Sequence, residues 1–306
     1  MGGWSTRDMP DLRGRIAVVT GANSGLGYIT ARELARKGAR VVLACRSEER
    51  GRAAEGRMRG EVAHADIEFA ALDLGDLRSV REFAAGFPHE RVDLLVNNAG
   101  VMAVPHGTTA DGFETQFGVN HLGHFALTGL LLPRILAAPR ARVVTVSSMM
   151  HALAGVDLRD PNSLRSYRRW TAYARSKSAN LLFTHEFARR LAASGSDVVA
   201  AAAHPGYAAT GLTDGVGGTP TRRLLELSDR VIAQSAESGA LPTLHAATAP
   251  GVRPDSFTGP ALAMWRGAPA RSWRAPWTVG DEAGQRLWEI SERLTGVTYE
   301  TLKRIP

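Results

Sequence analysis

The sequence predicts an α/β fold, a doubly wound parallel sheet in a single domain, and three observations carry that expectation. Short apolar, β-branched runs recur at 16–20, 40–44, 67–71, 93–97, 142–147 and 197–203, with longer helix-like segments between them. Each run is almost continuously hydrophobic, as strands buried on both faces are, and the alternation with helices is that of a parallel sheet. Finally, 306 residues that are 44% hydrophobic can bury one large core.

Taken in order, the elements place chemistry just past the carboxyl ends of the strands, where the ligand crevice of such a sheet forms. The first run, "IAVVT", leads into "GANSGLG", a turn built from Gly21, Asn23, Ser24, Gly25, Leu26 and Gly27 that opens a helix. Glycines there allow positive φ and let backbone N–H groups approach a pyrophosphate at the helix N-terminus. The turn therefore points to a Rossmann fold. The second run ends in Cys45 and Arg46. An NAD-selective domain places an acid about 20 residues beyond the turn, whereas a guanidinium suits a 2′-phosphate. Arg46 thus predicts NADP(H) in preference to NAD(H). The later runs end at Asp73, Asn98, Ser148 and Pro205. Beyond them, a stretch at about 211–255 reads as a lid over the substrate, and a tail at about 262–306 ends in a helix.

Composition narrows the partners. The net charge of +7 comes from arginines interleaved with acids along the chain, a solvated surface rather than a basic stripe, so no nucleic acid is expected. The single cysteine excludes an intrachain disulfide. With no apolar signal core and no run of about 20 apolar residues, no membrane span is expected, and a cytoplasmic protein is the default.

A proton-transfer group stands in "TAYARSK", where Tyr173 and Lys177 share one helix face a turn apart. A nearby ammonium favours the phenolate and would lower the tyrosine pKa. Ser147 and Ser148 end the fifth run, placing a hydroxyl within reach of a substrate carbonyl. Asn120 lies between Gly118 and Gly123, in a helix-like stretch that the glycines weaken, where a kink would let it meet a water or a backbone carbonyl.

The motifs "TGANSGLG", "NNAG", "VNHLG", "VVTVSS", "YARSK" and "HPGYAAT", in this order, resemble the short-chain dehydrogenase/reductase family over roughly residues 14–210. "GVNHLGHFALT" and "ACRSEE" are similar to its retinol dehydrogenase and protochlorophyllide reductase branches. The resemblance implies an NADP(H)-dependent oxidoreductase that interconverts a carbonyl and an alcohol on a lipophilic small molecule. It implies that Tyr173 is the general acid/base, that Lys177 lowers its pKa and holds the nicotinamide ribose, that Ser148 holds the carbonyl, and that Asn120 anchors a water. It also implies that Asp73 and Leu74 meet the adenine, that Asn98, Ala99 and Gly100 line the cofactor, and that Pro205, Gly206 and Thr210 hold its nicotinamide end. A homodimer or homotetramer, built through long helices beginning near residues 111 and 171, follows from the same likeness.

Some residues stay open to two readings. His121 and His124 lie three apart without an acid or cysteine cluster, so packing or hydrogen bonding is expected and a metal is not. Met149, Met150 and His151 follow the catalytic strand, where substrate contact and core filling are equally available. Trp265, Trp273 and Trp277 stand among arginines as a stacking platform for single-stranded nucleic acid, as a carboxylate-binding rim, or as part of a tail packed over the sheet edge or a neighbouring subunit, the last favoured. A cofactor-binding sensor on the same scaffold is the alternative function, and intact Tyr173, Lys177, Ser148 and Asn120 speak against it.

Overall fold

The computed structural model describes residues 3–206 and 235–302. Eight strands form one sheet in the order β3-β2-β1-β4-β5-β6-β7-β8. They are β1 (Ile16–Thr20), β2 (Arg40–Cys45), β3 (Ile67–Ala71), β4 (Leu94–Asn97), β5 (Arg142–Val146), β6 (Val199–Ala203), β7 (Phe257–Leu262) and β8 (Arg266–Arg271). All neighbours pair in parallel except β7 and β8, which form an antiparallel hairpin at the edge. Strand order reverses at β1, where Val18 pairs with Val42 on one side and Leu95 on the other. That reversal opens the crevice beyond the carboxyl ends of β1 and β4.

Alternation along the strands feeds the two largest core clusters among the described residues. Val18, Val42, Leu95 and Val143 enter one cluster, while Ala17, Val19, Leu43 and Val96 enter the other. The first face carries α3 (Leu77–Ala85), α5 (Gly123–Leu136), α6 (Arg169–Ala193) and α8 (Asp281–Thr295), and the short α4 (Thr115–Phe117) leads into α5. The second carries α1 (Gly25–Arg36), α2 (Glu48–Glu61) and α7 (Ala236–Thr248).

One expectation is corrected here. The stretch 211–255 is not all lid: residues 211–234 lie outside the described residues, but α7 buries Ala240 and Leu244 beside Leu34 of α1 as part of the scaffold. The tail is part of the scaffold as well. Its β8 extends the sheet, and α8 buries Trp288 among Phe125, Phe183, Phe187 and Tyr299, with ring centroids 4.4 to 6.1 Å from the indole. Consequently α6 is buried on every side along its middle, from Ser176 to Thr184. Trp265, Trp273 and Trp277 keep 43%, 52% and 42% of their surface exposed.

Candidate active site

A cleft of about 800 Å³ opens at the switch in strand order. Its floor is the turn after β1. Gly21 and Gly25 take φ of +66° and +54°, a region that side chains other than glycine rarely tolerate. A Cβ on Gly27 would lie 2.4 Å from the Gly21 carbonyl oxygen, so only a bare backbone lets α1 close on the turn. Ser24, at the N-cap of α1, makes no side-chain bond to the helix. The first-turn amides of Gly25, Leu26 and Gly27 therefore lie at the cleft wall at the positive end of the helix. Asn23 lines the same wall.

Thr20 fastens the turn to β4. Its hydroxyl oxygen accepts the N–H groups of Asn98 and Ala99, each at 2.9 Å, and its carbonyl accepts the Asn98 amide at 2.8 Å. Beneath the turn sits Cys45, 1% exposed, where an acid would select NAD. Burial pushes its thiol up to about 11, although the sulfur accepts N–H groups from Ala22 and Asn23.

Arg46 reaches the cleft as expected, and α2 adds Arg50 and Arg57. The Arg57 guanidinium stacks 4.6 Å from the Tyr28 ring centroid and donates to the Asn23 carbonyl at 3.3 Å. Sequence reasoning missed both residues, because the arginine-rich "EERGRAAEGRMRGE" read as a solvated face. The overlooked signal was that α2 follows directly from the strand whose end lines the cofactor cleft. Asp73 and Leu74 line the adjoining wall, where the Asp73 carboxylate accepts the Gly75 N–H at 2.9 Å.

At the other end, Ala99, Gly100, Tyr173, Lys177 and Pro205 line the cleft. Tyr173 and Lys177 are 7% and 4% exposed, and the ammonium lies 5.7 Å from the tyrosine ring centroid. Lys177 Nζ donates to the Val146 carbonyl at 3.1 Å, and burial brings its pKa down to about 8. Burial also pushes the Tyr173 phenol up to about 12, against the lowering effect of a hydrogen bond from Ser148. The phenol pKa is thus raised and not lowered as the neighbouring ammonium alone predicts, because the removal of water from the phenolate is the larger effect.

The two serines divide their tasks. Ser147 is buried and donates to the Lys177 carbonyl at 2.8 Å, whereas Ser148 is half-buried beside the phenol. Asn120 stands behind the cleft in a π-helical turn, Gly118–Leu122. Such bulges gather at functional sites because they re-aim side chains and carbonyls. Its side chain exchanges two hydrogen bonds with the Val101 backbone, at 2.8 and 2.9 Å, and donates to Ser176 at 2.9 Å. Gly206, with φ of +70°, follows Pro205 and packs under the β7–β8 hairpin, while Thr210 lies outside the described residues. His121 and His124 are engaged in hydrogen bonds to Ser291, and to Thr20 and the Asn120 carbonyl.

The sequence profile of the short chain dehydrogenases matches residues 15–221. The chain belongs to the short-chain dehydrogenase/reductase family. Within that family it falls in the retinol dehydrogenase-like branch. Retinol dehydrogenase 12 of Homo sapiens is 41% identical over 291 residues, covering 94% of this chain and 89% of the relative. A crystal structure of an uncharacterised protein from Mycobacterium paratuberculosis superposes with a TM-score of 0.82 at 45% identity, covering 97% and 99% of the two chains. RhlG of Pseudomonas aeruginosa, solved as a complex with NADP, gives a TM-score of 0.62 at 26% identity, covering 79% and 92%. As a short-chain dehydrogenase, the protein is an NAD(P)-dependent oxidoreductase acting between carbonyls and alcohols.

Proposed function

We propose that the protein reduces a lipophilic aldehyde or ketone with NADPH, Tyr173 protonating the carbonyl oxygen. The observation that carries this reading is the presence of Tyr173 and Lys177 at the end of the glycine-turn cleft, with Ser148 hydrogen-bonded to the phenol. The wall fits a dinucleotide: uncapped amides for a pyrophosphate, Asp73 at the adenine end, and Arg46, Arg50 and Arg57 for a 2′-phosphate. When bound, the cofactor supplies the hydride.

The remaining chemistry belongs to the chain. Tyr173 holds its proton at neutral pH, the state a general acid needs, and Ser148 positions the carbonyl oxygen beside it. Lys177, set behind the phenol, carries positive charge below its pKa of about 8 and stabilises the phenolate that proton donation leaves. Asn120 holds the Val101 backbone and so fixes the wall opposite. A sensor would have no task for this tuned phenol.

The name of the relatives makes retinal the first carbonyl to test, with nonanal as a simpler lipophilic aldehyde. NADPH oxidation with either probe is expected in wild type and lost in Tyr173→Phe, while NADPH affinity stays within about twofold. Equal turnover in the variant would remove Tyr173 from the reaction.

A further inference from the structure

His151 has no part in the chemistry above, yet it is fully buried between the catalytic serine and the C-terminal tail. Its Nδ1 lies 2.7 Å from the Ser148 carbonyl oxygen, which also receives the His151 backbone N–H at 3.1 Å. On the far side of the ring, Nε2 accepts the Ala275 N–H at 3.2 Å. A nitrogen facing an N–H has to be the acceptor, so Nε2 is unprotonated and Nδ1 carries the hydrogen. The two contacts agree on one neutral tautomer. Burial lowers the pKa of the ring and keeps it neutral.

The residue is held from three elements. Its carbonyl accepts the Ser178 hydroxyl at 3.1 Å, one residue past Lys177 on α6, and the Trp277 indole N–H at 3.2 Å. Phe257 of β7 meets the ring edge-on at 5.3 Å, and Trp273 lies against it at 5.8 Å. Ser148 lies two residues past β5, half-buried, as the N-cap of the 3-10 turn Met149–Leu153, where its hydroxyl accepts the Met150 N–H at 3.2 Å; that turn and the strand end set its backbone, and the His151 ring adds a second hold on its carbonyl. We propose that His151 is a positioning residue: its Nδ1–H bond to the Ser148 carbonyl sets the serine against Tyr173 and couples that setting to α6 and the tail. This rests on the reductase reading above.

Shape-matched substitutions separate the two ring nitrogens. His151→Asn can offer an amide N–H where Nδ1–H stood, and His151→Gln keeps an acceptor near Nε2 but gives up the donor to Ser148. With NADPH and retinal or nonanal, His151→Gln is expected to lower kcat by roughly tenfold to a hundredfold, the size of effect that a misplaced catalytic group produces. NADPH affinity should stay within about twofold, and His151→Asn should recover most of the lost kcat. Imidazole nitrogen NMR of the wild type should show Nδ1 protonated and Nε2 bare at neutral pH. If wild type turns over and His151→Gln matches it, or if the proton is found on Nε2, the positioning role is wrong while the reductase stands. If both variants lose NADPH affinity and native spectra alike, His151 is only a packing residue. Wild type inert toward both probes would overturn the reductase reading and, with it, this role.

Discussion

At the scale of single residues, the site is governed by how burial and charge divide. Water is excluded from both Tyr173 and Lys177, and exclusion drives their pKa values toward the neutral forms, up to about 12 and down to about 8. For reduction this is favourable for the phenol, which must arrive protonated, and sets an upper pH limit through the lysine. Because kcat/KM follows the free enzyme, it is expected to fall as pH rises through about 8, where Lys177 loses its charge. Lys177→Met should abolish that inflection, and a profile flat across this range in wild type would detach the lysine from the step. Arg46 sits at an exposed strand end, lines the cleft and makes no ion pair among the described residues. Arg46→Ala should weaken NADPH by roughly tenfold or more, the worth of a charge-assisted pair, and leave NADH nearly as it was. Equal losses in a titration would show that Arg46 does not read the 2′-phosphate.

At the scale of elements, the π-helical turn between α4 and α5 depends on two glycines for different reasons. A Cβ on Gly118 would strike the Thr109 methyl at 2.4 Å, a side chain that can shift, but on Gly123 it would strike the Leu74 carbonyl at the same distance. Gly123→Ala is therefore expected to cost roughly 1–3 kcal/mol in chemical denaturation, since backbone cannot yield as a side chain does. Denaturation at the wild-type midpoint would mean that β3's loop moves aside. Legibility in the sequence followed the same physics. The strands through β6 were readable to within one or two residues, because burial on both faces writes an unbroken apolar run. The β7–β8 hairpin was not, because "FTGPAL" and "RGAPAR" carry proline and glycine and lack that run. Their strand character comes from pairing at the edge, where proline is tolerated. Arg50 and Arg57 escaped for a related reason: a helix that looks solvated along its length can still turn one face toward a cleft. His151 was noticed but could not be assigned, since its partners Ala275 and Trp277 come from a distant part of the chain.

At the scale of the whole molecule, the C-terminal segment seals the helical layer on one face of the sheet. α8 and Tyr299 pack together against the helical layer, and the middle of α6 is enclosed within the chain. Trp288→Ala should cost about 3–5 kcal/mol, as truncation of a large buried aromatic does, without altering the sedimentation coefficient of the native protein. A changed coefficient under native conditions would mean that the α8 face takes part in assembly. The tail thus joins folding to catalysis, since the segment that seals the helical layer continues from the one holding His151.

Cys45, the chain's single cysteine, lies under the phosphate turn with its sulfur hydrogen-bonded to the turn's own amides. A thiol there reacts with a modifying reagent only when the turn lifts away, and its raised pKa keeps the reactive thiolate scarce. The rate of modification becomes a clock for local opening, free of any background thiol. A dinucleotide that anchors to the turn will slow that clock in proportion to its occupancy, so affinity for NADPH and NADH can be read without a substrate and without turnover.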